Sequence, residues 1–450
     1  MKKKTMGVLL TILLLSVYSI SVSAKKGGNP FDEIWDYINS VIDPTLEDHE
    51  ARITALEVSE EQLEQPIRIG MTSATTWEYE NTVCLAAIAE ADINQYVEGL
   101  GLDMTFEFIV TNNGGDDSTA IMNTFMYKVM GIDLILGHPW SGQCLASLNY
   151  ANTMNMLLLS GSSTAHSLAI PNDRLFRTCS HSDEMVFPLA EMWETWGVEY
   201  VLTMQFTALI SGFDNFEYEL GIRGIESLGK IVYSEDGIYE DELIDANEII
   251  TGAIEEYGAD SVGIQFFNQE EIVQLQIQAA DYQNLMDVIW MTSEEGPRSS
   301  RMLDEAGEWA TQTRHFNPIP TVDKTSILYQ EFEAKYYALT EEMPGYYTAF
   351  QYDACWLLAE IIIETGSTDA GVIAENLIPI SDSIYGLSGC LALDENGDRL
   401  PQLYDIMGFY EDPATDQYKE GTFGSYDGRI IEVNWDDAFL EYTGITRPGK

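Results

Sequence analysis

The stretch IDLILGHPWSGQCLASLNYANTMNMLLLSGSST, residues 132–164, decides the fold. Ile132 to Leu136 and Asn155 to Leu159 are short apolar runs of strand length, and between them Gln143 to Asn152 carries its apolar residues at helical spacing. Nothing in the stretch reads as a tight hairpin. Strand, helix and strand in this order predict parallel strands linked by a helical crossover.

The same rhythm runs outward. Upstream lie the strand Ile67 to Met71, the helix Val83 to Tyr96, the strand Met104 to Val110 and the helix Ala120 to Met130. It restarts after Asp183 with the helix Glu184 to Trp196. The strands Tyr200 to Gln205, Gly229 to Ser234, Ser261 to Phe267 and Met286 to Thr292 follow, separated by helical stretches at Asp214 to Leu220, Glu242 to Tyr257 and Gln269 to Ala280. Two further helices are expected within Thr325 to Thr365 and a final strand at Tyr404 to Tyr410. Two successive α/β units predict two doubly wound, Rossmann-like lobes joined by a multi-strand hinge. The first would comprise residues 66–183 plus 325–383, the second 184–324 plus 384–450. Ligands of such sheets bind beyond the carboxyl ends of the strands.

Met1 to Ala24 runs from Lys2, Lys3 and Lys4 through an apolar stretch to Val22-Ser-Ala24, which predicts a signal peptide and a place in the periplasm or at the cell exterior. An uncleaved anchor is the other reading, although the apolar run is short for a span. No Cys follows it, so a lipid-modified N-terminal cysteine is not expected. Residues 25–65 carry Leu46, Ile53, Leu56 and Leu63 at intervals that fit a short heptad pattern, a helical stalk that would pair with a second copy or lie on the main body.

With 74 acidic residues against 22 basic ones the formal charge is -52, which excludes nucleic acid and anionic lipid as partners. A hydrophobic fraction of 45% suffices for a large core and argues against disorder. The five cysteines are widely spaced, with no CxxC pair and no His at metal-site spacing, so neither a metal nor a cofactor is expected; one bridge is possible, and the odd count leaves at least one thiol over. Ser160-Gly-Ser-Ser is not a nucleophile elbow and no phosphate-binding Gly motif occurs, so an enzyme is not expected.

From Ile67 onward the chain resembles the type I periplasmic binding proteins, specifically the branched-chain amino acid binding family of ABC importers. Several ordered segments carry the resemblance. They are Ile67-Arg-Ile-Gly70, Ala91-Asp-Ile-Asn94, Gly137-His-Pro-Trp-Ser141-Gly, Leu159-Ser-Gly-Ser-Ser-Thr-Ala165, Leu175-Phe-Arg-Thr178, Tyr347-Thr-Ala-Phe-Gln-Tyr-Asp-Ala354, Gly386-Leu-Ser-Gly389 and Leu393-Asp-Glu-Asn-Gly-Asp-Arg399. The resemblance implies capture of an amino acid by lobe closure and delivery to an ABC transporter permease. Relatives that bind short amides or urea leave that ligand class open, as they do a receptor or surface-structural role.

Ser141 opens a helix after a strand, where its hydroxyl and nearby N–H groups can hold a carboxylate without an Arg. An N-cap role is the plain alternative. By the resemblance, Ser162 contributes mainly backbone groups, Thr164 its hydroxyl, and Glu294 an acid that pairs with an α-ammonium. Trp77 and Trp140 are candidates for the wall around the ligand's side chain. Where relatives carry a second-lobe Tyr this chain offers Phe206, and near Phe267 it has Asn268, which leaves the specificity open.

Overall fold

The computed structural model describes residues 66–209, 213, 215–234, 237–293, 300–400 and 403–448. The expected signal peptide and stalk, residues 1–24 and 25–65, lie outside them. Among the described residues no helix is long and apolar enough to cross a membrane.

The first lobe is built on strands β1 (Ile67–Ser73), β2 (Phe106–Asn112), β3 (Leu134–Leu136), β4 (Leu157–Ser160) and β5 (Leu175–Arg177), alternating with helices α1 (Tyr79–Gly99), α2 (Asp117–Val129) and α3 (Ser141–Thr153). The five strands are parallel in the order β2-β1-β3-β4-β5. Successive residues of one strand point to opposite faces. Leu157 and Leu159 therefore join the cluster formed with α1, whereas Leu158 joins the one formed with α2 and α3. This two-sided burial explains the unbroken apolar runs of β3 and β4. Gly70 has the same logic: a Cβ there would lie 2.9 Å from the Tyr127 ring, whose hydroxyl donates to Met71 O at 2.7 Å. Only glycine lets α2 approach β1 so closely.

The second lobe carries β6 (Tyr200–Phe206), β7 (Glu226–Tyr233), β8 (Val262–Phe267), β9 (Ile289–Thr292), β10 (Phe316–Pro320), β13 (Leu403–Asp412), β14 (Gln417–Asp427) and β15 (Glu432–Trp435), in the order β15-β14-β13-β10-β9-β8-β6-β7. Strands β6 to β10 are parallel, and β13 to β15 extend the sheet antiparallel. Helix α4 (Val186–Trp196) covers one face; α6 (Glu240–Tyr257), α7 (Ile272–Ala279) and α9 (Ser300–Gln312) cover the other. The short helices α5 (Phe216–Ile222) and α8 (Gln283–Met286) complete the connections.

Helices α10 (Ile327–Thr340), α11 (Tyr346–Thr365) and α12 (Ala370–Ser381) return to the first lobe, where Phe332, Phe350, Leu358 and Ile373 join the cluster built around β1 and α1. Passages after β5, after β10 and before β13 make the multi-strand hinge between the two doubly wound lobes.

Three expectations change. The small hairpin of β11 (Tyr385–Gly386) and β12 (Gly389–Cys390) and the turn after it place Leu387, Leu391 and Leu393 in the first lobe's core, so the last passage comes later than residue 384. Tyr404 to Tyr410 is not the final strand, because β14, β15 and α13 (Asp437–Thr443) follow. Strand β10 is unforeseen because it contains Pro318 and Pro320, which cannot donate to a ladder. It is tolerated because only Phe316 pairs with β9.

Candidate functional site

Strands β1, β3 and β4 adjoin at the centre of the first sheet, so the loops leaving their carboxyl ends meet. Gly137 ends β3 with φ +138°, and a Cβ there would collide with Thr72 Oγ1. His138, fully buried, then clamps three loops. Its carbonyl accepts from Ser160 Oγ at 2.7 Å, Ser163 Oγ at 2.8 Å and Cys144 Sγ at 3.0 Å. Its Nδ1 and Nε2 stand 3.0 Å from Asn113 Nδ2 and 2.9 Å from Thr124 Oγ1. Thr124 Oγ1 already donates to Ala120 O, and Asn113 Nδ2 is a donor, so the ring proton sits on Nε2. Asn113 also donates to Gln143 Oε1 at 2.9 Å, and Gln143 in turn to Ala74 O at 3.2 Å. Burial lowers the His138 pKa to about 3, which keeps the ring neutral.

On this clamp rest the expected first-lobe residues, and the structure brings them together. Ser141 is the first residue of α3, but Trp140 occupies the cap without a side-chain bond. The Ser141 hydroxyl instead accepts from Ala165 N at 3.1 Å and keeps its own proton to give. Ser162 Oγ donates to Pro139 O at 2.9 Å. The Thr164 carbonyl accepts from Ser182 N at 2.8 Å, which ties its loop to the first passage between the lobes. With the first-turn N–H groups of α3 alongside, the arrangement offers donors and one hydroxyl acceptor, and no cation.

Arg177 at the end of β5 holds the loop. Fully buried, it donates through Nη1 to Ser163 O at 3.0 Å and Ala165 O at 2.9 Å, and through Nε to Asp398 Oδ1. A second buried pair braces the neighbouring passage. Asp353 accepts from Leu387 N at 2.6 Å, Ser388 N at 2.9 Å and Ser388 Oγ, while Arg399 donates to Thr178 O at 3.0 Å and Cys390 O at 2.7 Å. Burial raises the Asp353 carboxyl and lowers the Arg399 guanidinium, each opposed by the other's charge. Three donors aimed at Asp353 favour its ionised form. Sequence reasoning assigned no role to His138, Arg177, Asp353 or Arg399. The available signal was charge in apolar surroundings, as in Leu175-Phe-Arg177 and Tyr352-Asp-Ala354.

Trp77 follows β1 and is 77% exposed; Trp140 is 46% exposed with its ring beside Gly115, so both remain available at the loop edge. Phe206 does not. At 4% exposure it packs with Leu202 and Met204 on the face of β6 covered by α6, stacked on Tyr233 at 5.9 Å. Its side chain belongs to the core, which corrects the expectation of a ligand contact. Asn268, just beyond β8, is fully buried: its N–H donates to Ser293 Oγ at 3.1 Å, its Nδ2 to Gln269 O at 3.2 Å, and its Oδ1 lacks a partner among the described residues. Glu294 lies outside the described residues, next to Ser293 at the end of β9. None of the five cysteines is bridged.

The family model for the receptor family ligand binding region matches residues 86–412. An uncharacterized protein of Methanocaldococcus jannaschii is 24% identical over 387 residues, 80% of this chain and 88% of that protein. A leucine binding protein of Thermotoga maritima superposes with a TM-score of 0.58 at 15% identity, covering 83% of this chain and 99% of the other. A branched-chain amino acid transporter substrate binding protein of Streptococcus pneumoniae, solved with isoleucine, superposes at 0.56 with 18% identity, covering 76% and 96%.

Proposed function

The chain belongs to the receptor family of ligand-binding regions and has the type I periplasmic binding protein fold, and from that premise we propose that it is the extracytoplasmic capture component of an ABC importer for an amino acid. The observation that supports this reading is the buried clamp of His138 and Arg177, on which rest Ser141 at the start of α3 and the loop that carries Thr164.

Such a surface suits a zwitterion. A carboxylate takes the Ser141 hydroxyl and the α3 N–H groups; an ammonium takes the Thr164 oxygen and, from the second lobe, Glu294. Trp77 and Trp140 enclose the apolar side chain. Contacts made by both lobes at once exist only in the closed form, so the ligand shifts the population toward closure. A permease that recognises the closed form then receives loaded protein. The family and the structural neighbours are binding proteins, and the chain needs no chemistry of its own.

A second reading, a short amide or urea, is favoured by Asn268, whose buried Oδ1 lacks a partner among the described residues and suits an amide N–H. Calorimetric titration with leucine, isoleucine, valine, acetamide and urea separates the two. Leucine or a related amino acid binding, weakened about tenfold or more by Thr164→Ala and Glu294→Ala, supports the first reading. Binding of amides alone selects the second, and no response to any solute removes both.

A further inference from the structure

His166, His181 and Asp183 are 15 and 2 residues apart in sequence, yet one ligand atom from each falls within 4.8 Å of the others. His166 Nδ1 is paired with Asp183 Oδ2, and His181 Nε2 lies 3.5 Å from Glu184 Oε1. A plain ion pair needs one ring and one carboxylate. Here a second ring and a second carboxylate stand beside the first pair, and two of their atoms, His181 Nδ1 and Glu184 Oε2, are buried without a partner among the described residues.

The surroundings hold the cluster in place. Asp183 Oδ1 accepts from Phe213 N at 3.1 Å, which fixes the carboxylate against the second lobe's loop. The nearby cation Arg177 is already bound to Asp398 and two carbonyls. His166 is half exposed, leaving an entry path and room for its ring to turn. The other described histidines, His138 and His315, are fully buried and hydrogen-bonded at both nitrogens.

We propose that His166, His181 and Asp183, with Glu184 within reach as a fourth ligand, form a binding site for a divalent transition-metal ion such as Zn2+ at the first passage between the lobes. Two imidazoles and a carboxylate are borderline ligands that favour Zn2+, Co2+ or Ni2+ over Ca2+ or Mg2+. Metal bonds of about 2.0–2.2 Å set ligand atoms roughly 3.4 Å apart, so an ion entering the cluster must part His166 Nδ1 from Asp183 Oδ2 and bring the His181 ring to it, changes that the exposed His166 ring can accommodate. His166 follows Thr164 by two residues, and Ser182 N already holds Thr164 O. The ion therefore ties the Thr164 loop to the first passage between the lobes, and its occupancy and that of the solute are linked reciprocally. That coupling rests on the proposed solute capture, whereas the metal site does not.

Titration of the purified, solute-free protein with Co2+, followed by visible absorption, tests the site. One equivalent should give the d–d bands of a nitrogen- and oxygen-ligated ion, displaced by Zn2+, and affinity should fall by about tenfold or more in His166→Ala. Because His166 is half exposed, that variant should fold, as its circular dichroism spectrum can verify. Absence of the bands in the parent protein, or bands unchanged in the His166→Ala/His181→Ala double variant, overturns the proposal.

Discussion

Arg177 Nε lies 2.5 Å from Asp398 Oδ1, a buried ion pair between residues 221 positions apart. The same guanidinium donates to the carbonyls of Ser163 and Ala165, so the ion pair and the loop presenting Thr164 share one anchor. Arg177→Met strands a buried carboxylate and frees the loop. The expected loss of stability is about 3–5 kcal/mol, read as a fall in urea midpoint, together with loss of solute binding. Asp398→Asn in the same chain should restore much of the stability but not the binding, because the carbonyls of residues 163 and 165 still lack their donor. Arg177→Lys should fall between, since an ammonium cannot span all three acceptors in the fork geometry.

Gly161 gives a test of packing rather than charge. A Cβ there would stand 2.8 Å from both the N and the Cα of Gln351, and backbone cannot rotate away as a side chain can. Gly161→Ala should push α11 off β4, at a cost of about 1–3 kcal/mol. Thermal unfolding should register the loss, and solute affinity should fall as well, because residues 160–165 move with the strand. An unchanged melting temperature would show that α11 is not seated against this loop.

How far this architecture is legible in the sequence depends on burial on one face or two. Leu157-Leu-Leu159 reads as a strand because both its faces are covered, and the position of Ser141 at a strand-to-helix turn points to the proposed binding edge. The assignment of Phe206 fails at the next level. Its place near the end of β6 is legible, but which face α6 covers is set by tertiary packing. Strand β14 is hidden because its residues are largely polar and half exposed, and its Gly424 is needed for contact: a Cβ there would lie 2.7 Å from Asn434 O in the neighbouring strand. Arg177 and Asp398 are hidden for another reason. No local pattern announces a pair separated by 221 positions, although a charged residue between Phe176 and Thr178 in a buried strand requires a partner somewhere.

Asp173 should make the protein more stable in mild acid than it would otherwise be. Burial, with the Asp398 charge adding to it, raises its carboxyl to about 6, against the lowering effects of the Leu175 N–H bond and the Arg177 charge. In the unfolded chain the value is about 3.9. Between those values the folded state keeps a proton the unfolded state releases, so this group's contribution falls as pH rises from about 4 to about 6 and stays low above. Asp173→Asn keeps the acceptor for Leu175 N and removes the charge. It should therefore be more stable than the parent at pH 7 and equal to it near pH 4, a comparison made by urea unfolding at the two pH values.

His138 and His315 act in the opposite direction. Burial lowers each to about 3, while the unfolded chain titrates near 6.5. As pH falls below about 6.5 the unfolded state takes up two protons the folded state refuses, so stability should drop by about 2.7 kcal/mol per pH unit from the pair. Asp173 offsets about half of that slope between pH 6 and 4. In His315→Gln a group that can still bond Gln276 or Thr292 replaces a titrating one, so the variant should lose about half of the histidine slope whatever its stability at pH 7. Urea midpoints at pH 7, 6 and 5 give that slope, and one unchanged from the parent would mean that His315 titrates alike in both states. His138 carries the same argument to the proposed binding edge. Its neutral ring bonds Asn113 and Thr124 and its carbonyl holds Ser160 and Ser163, so protonation, which requires the Asn113 donor to turn away, loosens the loops that present Ser141 and Thr164. Solute affinity should accordingly weaken together with stability on acidification, and both should recover when the pH is returned to 7.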